Sequence, residues 1–367
     1  MDRKLRVLVV DDSVVMRRLV SDAIASDPEL EVAGCAASGE IALSSWRRLC
    51  PDLITLDLEM PVMDGLATLK ALRAAGCEVP IIVLSALTDR AAQVTVECLA
   101  SRACDYVVKP GDAGDPCVAH ERIREALAPR IKALCLGTAA QPSSPARAIT
   151  RSPATRHWHS ADSIAVVAIG CSTGGPNALA AVLSKLPEDF PAPVVVVQHM
   201  PPTFTRFLAQ RLTTLCRLPV GEGREGQLLA AGQIWIAPGG SHMCVTQQAG
   251  AAKLQLSQAP PENSCRPSVD VLFRSVAAAF AGHALAIVLS GMGQDGLRGC
   301  ELLAEQGAEI WVQDEATSVV WGMPGFVARN GLAQAVLPLP EIGVRLANRL
   351  LPSRRELRPE ALAQGAR

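Results

Sequence analysis

Aromatic residues make up only 3% of this 367-residue chain, with a single tyrosine, and net charge is almost absent, 35 Lys and Arg standing against 36 Asp and Glu. A nucleic-acid surface of interleaved basic and aromatic side chains is therefore not expected. No apolar run approaches the roughly 18 residues of a membrane span, and the opening Met-Asp-Arg-Lys-Leu-Arg-Val-Leu-Val-Val-Asp-Asp turns acidic too soon for a secretory signal. A cytoplasmic protein without membrane insertion is expected. Among the twelve cysteines there is no C-x-x-C pair and the spacing is irregular, so neither a zinc site nor a disulfide framework is indicated. Reduced thiols serving as small apolar fillers fit better. Gly-Lys-Ser/Thr is absent, and the glycine-rich turn at residues 170–176 is not G-x-G-x-x-G, which disfavours nucleotide binding.

What the chain has is length and apolar content, 49% of it, enough for two domains. Charge divides it further. Residues 1–125 carry 14 basic and 20 acidic side chains, residues 126–161 carry 5 and none, and residues 162–367 carry 16 of each. The middle part is rich in Ala, Pro, Ser and Arg without periodicity and reads as a flexible linker, its cations facing an acidic first domain. Residues 351–367 form a charged tail.

In residues 1–125, β-rich runs alternate with stretches of helical period, and Leu5 to Val10, Leu30 to Ala36, Leu53 to Leu56, Pro80 to Leu84 and Asp105 to Val108 read as strands. This predicts a flavodoxin-like α/β domain with a five-stranded parallel sheet in the order 2-1-3-4-5. Its ligand site falls at the carboxyl ends of strands 1 and 3. Asp11 and Asp12 follow strand 1, Asp57 follows strand 3, and Ser85 and Lys109 follow strands 4 and 5. Any one of these alone is most simply a turn or capping residue; all at one rim ask for another explanation. Uncompensated carboxylates repel one another, so a hard divalent cation, Mg²⁺, is expected between them. Lys109 and the Ser85 hydroxyl can then meet a phosphoryl group, with Asp57 as its acceptor.

Val9-Val10-Asp11-Asp12-Ser13, Leu56-Asp57-Leu58-Glu59-Met60-Pro61-Val62-Met63-Asp64-Gly65, Leu84-Ser85-Ala86 and Asp105-Tyr106-Val107-Val108-Lys109-Pro110 together resemble a response-regulator receiver domain. The resemblance implies that Asp12, Asp57 and the backbone carbonyl of Glu59 hold Mg²⁺, with Asp11 assisting through water, and that Tyr106 turns when phosphate arrives. One departure is visible. Receivers often have Gly-Ala ahead of the last strand where this chain has Arg102-Ala103, so the preceding helix lacks a favoured left-handed terminator.

From Ser163 the alternation resumes, with strands at Ile164 to Ile169, Val194 to Gln198, Ala284 to Leu289 and Glu309 to Gln313. A doubly wound α/β domain over residues 162–350 is expected. Its sheet should be mostly parallel, since Lys253 to Ser257 alternates like one arm of a hairpin. The first strand runs into Gly170-Cys171-Ser172-Thr173-Gly174, which fits G-x-S-x-G, a turn that presents a serine hydroxyl above a sheet edge. A base and an acid must then lie at the same rim. Of the six histidines, His120 belongs to the first domain, His157 and His159 to the linker, and His283 precedes its strand; His242 sits in a turn-rich stretch, and His199 directly follows a buried strand. Among the acids, Asp295 is preferred to Asp314, because the glycines around it permit close backbone approach and leave amides for an oxyanion. Ser172, His199 and Asp295 would serve acyl transfer as nucleophile, base and orienting acid. Their chain order disfavours an ordinary lipase or esterase. Glycine turns around a satisfied core histidine would leave the same pattern, and the residues alone leave both readings open.

Five stretches carry a second resemblance: Ile169-Gly170-Cys171-Ser172-Thr173-Gly174-Gly175-Pro176, Gln198-His199-Met200-Pro201-Pro202, Ile236-Ala237-Pro238-Gly239, Arg266-Pro267-Ser268-Val269-Asp270-Val271-Leu272-Phe273 and Ser290-Gly291-Met292-Gly293-Gln294-Asp295-Gly296. Together they resemble the catalytic domain of the chemotaxis protein-glutamate methylesterase/protein-glutamine glutaminase family, CheB. The resemblance implies the triad Ser172, His199 and Asp295, an auxiliary hydroxyl at Thr173 beside the histidine, an oxyanion-hole amide at Met292 and a bystander at Cys171. It implies hydrolysis of γ-glutamyl methyl esters on the cytoplasmic helices of chemoreceptors and deamidation of selected glutamines, with no metal in this domain. Phosphate would come to the receiver from the chemotaxis histidine kinase. An acidic receiver over a neutral esterase implies steric occlusion, relieved when phosphorylated Asp57 rearranges the face of strands 4 and 5. A catalytically silent, phosphorylation-gated binding module and a hydrolase of small esters stay open as other functions.

Overall fold

Two parallel sheets, each covered on both faces by helices, organise the computed structural model, which describes residues 3–111, 115–136, 164–248 and 250–351. The expected linker beyond residue 136, with His157 and His159, and the tail from residue 352 lie outside the described residues.

The first unit alternates β1 (Leu5–Val10), α1 (Val14–Ala25), β2 (Leu30–Ala36), α2 (Gly39–Leu49), β3 (Leu53–Asp57), α3 (Gly65–Ala74), β4 (Ile81–Ser85), α4 (Asp89–Ala100), β5 (Asp105–Val108) and α5 (Pro116–Leu136). Its sheet runs β2-β1-β3-β4-β5 and is parallel throughout, as the sequence predicts. Strands β3 and β4 are buried at every position, which is why they read as continuous apolar runs. Ser13, Ser38, Asp64 and Thr88 start α1 to α4 by accepting first-turn amides that would otherwise lack partners.

One boundary is corrected: residues 126–136, expected as linker, continue α5. Ile123, Leu127 and Ile131 are buried at helical spacing along it. Two of the supposed linker charges are docking contacts, Arg130 Nε lying 3.1 Å from Asp105 Oδ2 and Lys132 Nζ 2.9 Å from Asp27 Oδ2. Charge counting registers the cations but not the apolar stripe between them.

The second unit follows as β6 (Val166–Cys171), α6 (Gly175–Leu183), β7 (Val194–Gln198), α7 (Phe204–Leu215), β8 (Val220–Glu222), β9 (Ile234–Ile236), β10 (His242–Gln248), β11 (Ala251–Ser257), α8 (Val269–Phe280), β12 (Ala284–Val288), α9 (Leu297–Glu305), β13 (Glu309–Gln313), α10 (Met323–Arg329), β14 (Ala335–Leu337) and α11 (Leu339–Leu350). Its main sheet has the order β14-β13-β12-β6-β7-β9-β8, with parallel pairings throughout. The foreseen hairpin exists, β10 against β11, but as a separate antiparallel pair packed on α8. From β6 the chain moves to β7 on one side and later returns to β12 on the other. The strand order therefore reverses between β6 and β12, and the loops after them open a crevice at the carboxyl edge.

The units dock through α4 of the first against α6 and α7 of the second, with Tyr106 of β5 reaching α7. The Tyr106 ring stacks on Phe204 with centroids 5.0 Å apart and 14° between planes. Asn177 Nδ2 donates to the Leu99 carbonyl at 2.6 Å, and Arg206 Nη2 donates to Asp89 Oδ2 at 2.7 Å. One buried apolar cluster crosses the junction.

Arg102 follows α4 with a φ of 74°, a left-handed conformation that costs a residue with a side chain about 1–2 kcal/mol. Its exposed ion pair with Glu78 offsets little of this. Arg102→Gly is expected to raise stability by about 1 kcal/mol in urea unfolding followed by circular dichroism; an unchanged midpoint would mean that the neighbouring turn already absorbs the strain.

Candidate active site

Strand β6 ends at Cys171, and the chain reverses through Ser172, Thr173 and Gly174 into α6. Gly174 has a φ of 80°, and a Cβ there would stand 2.7 Å from Val319 Cβ and 2.9 Å from Ser290 Oγ, so the turn requires glycine. Ser172 N donates to the Ser290 carbonyl at 3.0 Å and Gly175 N to the Ser172 carbonyl at 2.8 Å, which ties the turn to the loop after β12. Gly291 lets that loop close in, since a Cβ there would lie 3.0 Å from Ser172 Cβ. Cys171 is buried beneath the turn with Sγ 3.1 Å from Gln198 Oε1, and burial pushes its thiol far above the ordinary range.

His199 leaves the end of β7, and its Nε2 meets Asp295 Oδ2 at 2.8 Å. Asp295 is 2% exposed and saturated with donors. Its Oδ1 accepts from Asn263 Nδ2 at 2.8 Å, Ser268 Oγ at 2.9 Å and Asp270 N at 3.0 Å, and its Oδ2 accepts from Val269 N at 2.7 Å. Val269 and Asp270 open α8, so the carboxylate occupies a helix N-terminus. Burial alone would raise the proton affinity of Asp295; the imidazole and these amides outweigh it and hold the carboxyl well below its usual range. Burial pushes the neighbouring Asp270 up to about 6, and the Asp295 charge adds to the rise. For His199, burial disfavours the charged ring, but hydrogen bonds to Asp295 and Cys265 prevail and raise it to about 9.

The other ring nitrogen, Nδ1, faces Cys265 Sγ at 3.5 Å. Ser172 and His199 line the same cleft of about 710 Å³, with Met292 and Gly293 beside them. Among the described residues no hydrogen bond joins the serine to the ring. Thr173, expected beside the histidine, donates instead to Asp105 Oδ2 of the first domain at 2.6 Å. That domain supplies one wall of the cleft through Leu99, Asp105, Tyr106 and Arg130. The geometry thus brings His199 and Asp295 into contact, sets Ser172 and Met292 at the same mouth, and engages Thr173 elsewhere.

At the rim of the first sheet, Asp11, Asp12 and Asp57 each offer an oxygen, all within 4.8 Å of one another. Lys109 Nζ lies 2.7 Å from Asp57 Oδ1 and 3.0 Å from Asp11 Oδ2, and Glu59 N donates to Asp57 Oδ1 at 3.3 Å. Burial raises the proton affinity of Asp57 against the pull of Lys109, with the Asp11 charge adding to the rise. Crowded carboxylates with oxygen as the only donor type fit a hard divalent cation. The Ser85 hydroxyl is turned to other partners, accepting from Thr95 Oγ1 at 2.8 Å and donating to the Ala86 carbonyl at 3.1 Å. The Tyr106 ring is buried against Phe204.

The sequence reading missed the supports of Asp295. Ser268, a polar residue directly ahead of an apolar run, carried the signal of a helix start. His242, expected in a loop, is buried as the first residue of β10 and fixes the same start, its Nδ1 accepting from Ser268 N at 3.2 Å. The loop Gly291-Met292-Gly293-Gln294-Asp295-Gly296 also has G-x-G-x-x-G spacing. Its buried carboxylate repels the phosphates such a loop would otherwise cradle.

Fold and sites together define a receiver domain joined to an α/β effector domain with a serine, histidine and carboxylate at one crevice. A family model described as CheB methylesterase matches residues 167–346, and one described as response regulator receiver domain matches residues 7–119. A protein-glutamate methylesterase/protein-glutamine glutaminase of Nocardioides sp. is 49% identical over 360 residues, spanning 97% of this chain and 98% of that relative. The protein of the same name from Trichodesmium erythraeum is 44% identical over 350 residues, 95% of this chain and 99% of its own. The solved CheB methylesterase catalytic domain of Thermotoga maritima shares 39% identity over 50% of this chain and 97% of that one, with a TM-score of 0.49. The chain belongs to the CheB methylesterase family, with the receiver ahead of the catalytic domain.

By histidine-ring NMR, His199 is expected to titrate near pH 9, and in Asp295→Asn to fall toward or below its ordinary value near 6.5, because burial then meets less opposition. The folded value lies above the ordinary one. The pair therefore stabilises the fold fully below about pH 6.5 and loses that contribution as pH rises through about 9. An identical titration in the Asn variant would show that Asp295 does not hold the proton on the ring.

Proposed function

We propose that the protein hydrolyses methyl-esterified glutamates of chemoreceptors, and deamidates receptor glutamines, under the control of phosphorylation at Asp57. The observation that carries this is the His199–Asp295 hydrogen bond set opposite the Ser172 turn, in a chain of the CheB methylesterase family. With Nε2–H held by Asp295, the neutral ring has its lone pair on Nδ1. When that edge meets Ser172 it takes the hydroxyl proton as Oγ attacks the γ-carbonyl carbon. The Met292 amide is the donor assigned to the oxyanion. Collapse of the tetrahedral adduct expels methanol, or ammonia from a glutamine, carrying the proton from His199. Water, deprotonated by the same ring, then releases glutamate and restores Ser172.

Asp12, Asp57 and the Glu59 carbonyl are the residues that would hold Mg²⁺, with Asp11 beside them. When bound, the ion neutralises the carboxylates and the incoming phosphoryl oxygens. Asp57 accepts the phosphoryl group from the chemotaxis histidine kinase, in the cytoplasm where the receptor helices lie. Lys109, now shared by Asp57 and Asp11, and Ser85, now paired with Thr95, are the groups that turn to the phosphate. Gating by occlusion is supported by the receiver's wall of the cleft and by its hold on Thr173 and Phe204. The receiver is assigned residues through 136 and the catalytic domain residues 162–350.

Methanol release from methylated receptor membranes tests this directly. Ser172→Ala should lose about 10⁴-fold or more, and the wild-type rate should climb with pH toward about 9 as His199 becomes neutral. A small phosphodonor should stimulate the wild type but not Asp57→Asn, which keeps its basal rate. Full activity in Ser172→Ala would end the acyl-transfer reading.

Arg206→Glu exchanges an exposed interdomain attraction to Asp89 for repulsion. An exposed pair is worth up to about 1 kcal/mol, so the unphosphorylated rate should rise up to about five-fold. An unchanged rate together with full phosphodonor stimulation would place the gate elsewhere.

A further inference from the structure

We propose that Cys265 is a second reactive nucleophile of the crevice, a thiol that His199 activates toward peroxides and small electrophiles, and whose oxidation silences ester hydrolysis. The silencing rests on the catalytic reading of His199; the reactivity of the thiol does not.

The geometry is that of a relay. Cys265 Sγ lies 3.5 Å from Nδ1 of a ring whose Nε2 is held by Asp295 at 2.8 Å. Cysteine, imidazole and carboxylate in series is the arrangement that draws a thiol proton onto histidine and leaves a thiolate. Cys265 is half-buried and lines the cleft, so a small reagent has a route to it. Its position is fixed. Glu262 and Cys265 exchange backbone hydrogen bonds of 3.0 and 2.9 Å, Arg274 grips the Glu262 carboxylate with both terminal nitrogens, and Asn263 ties the same loop to Asp295. The same contacts that raise His199 to about 9 favour an imidazolium beside the sulfur at neutral pH. Elsewhere burial works against the thiolate, pushing Cys98 and Cys135 up to about 12 and Cys216 to about 11. Those three fit the expectation of inert fillers; Cys265, paired with His199, is the one proposed to depart from it.

The step balances without a metal. The thiol proton moves to His199 and Sγ attacks one peroxide oxygen. An S–O bond forms as the O–O bond breaks, and the departing oxygen takes a proton to leave as water. Sulfur loses two electrons in becoming a sulfenic acid, and peroxide gains them. The added oxygen then stands at Nδ1, the edge that Ser172 needs, until an external thiol reduces it.

The full-length protein should be treated with limiting iodoacetamide and its cysteines quantified by peptide mass spectrometry. Cys265 is expected to alkylate at least ten-fold faster than the exposed Cys35, Cys50 and Cys117. In Asp295→Asn its rate should fall while theirs stay the same. Hydrogen peroxide should stop methanol release from methylated receptors and dithiothreitol should restore it, with Cys265→Ala and Cys265→Ser active and resistant. Alkylation of Cys265 no faster than that of the exposed three, or equal peroxide inhibition in both variants, would overturn the proposal. Fast alkylation in a protein that releases no methanol would support the reactive thiol and count against the methylesterase reading instead.

Discussion

A buried carboxylate at the mouth of a helix is the constraint on which the catalytic domain depends. Asp295 sits in the loop after β12, yet its partners come from the start of α8, from the loop before α8 and from the end of β7. Left unpaired, such a buried charge would cost several kcal/mol. Paired in this way it forces four separate segments into one register. The imidazole is thus oriented as a by-product of satisfying the carboxylate, and in the neutral ring the same bond sets the tautomer, with the proton on Nε2 and the lone pair on the Nδ1 edge that faces Cys265.

Much of this was legible in the sequence, because strand ends are where both sheets place their chemistry. Alternating periodicity gives every strand of the first sheet to within a residue or so, and β7 and β13 to the residue. The reversal of strand order then predicts where Asp11, Asp57, Ser172 and His199 must gather. What stayed hidden was contact between distant loops. Nothing in the spacing of Ser268, Asp270 and Asn263 announces that they converge on Asp295, and His242 looked like a loop residue because the proline and glycines before it mask the strand that follows. The extension of α5 was missed for a different reason. Arg130 and Lys132 read as cations of a flexible tether facing an acidic domain, whereas each pairs with a carboxylate of that domain from a docked helix.

The interface couples two sites through side chains that each have somewhere else to be. Asp105 holds Thr173, the Tyr106 ring covers Phe204, and Ser85 is paired with Thr95. These three receiver residues lie on β4 and β5, the strands that also end at Ser85 and beside Lys109. In the proposed switch a phosphoryl group on Asp57 would compete for Ser85 and Lys109, and so would act on the same two strands that cover the crevice. The contacts between the two sites are short and made of packed groups, so the proposed link would need no long-range rearrangement of either sheet.

The size of the required shift follows from what is displaced. A stacked aromatic pair contributes about 0.5–1.5 kcal/mol beyond its buried area, and a hydrogen bond to a charged group about 1.5–3. Losing the Tyr106–Phe204 stack and the Thr173–Asp105 bond together would therefore cost about 2–4.5 kcal/mol, which overlaps the upper part of the roughly 1–3 kcal/mol typical of coupling between sites and runs beyond it. The proposed opening would free Thr173 but leave Nδ1 of His199 on Cys265, whose loop is tied to Asp295. On the two proposals together, phosphorylation would admit the substrate to the crevice and the state of the Cys265 thiol would decide whether the ring is free to meet Ser172.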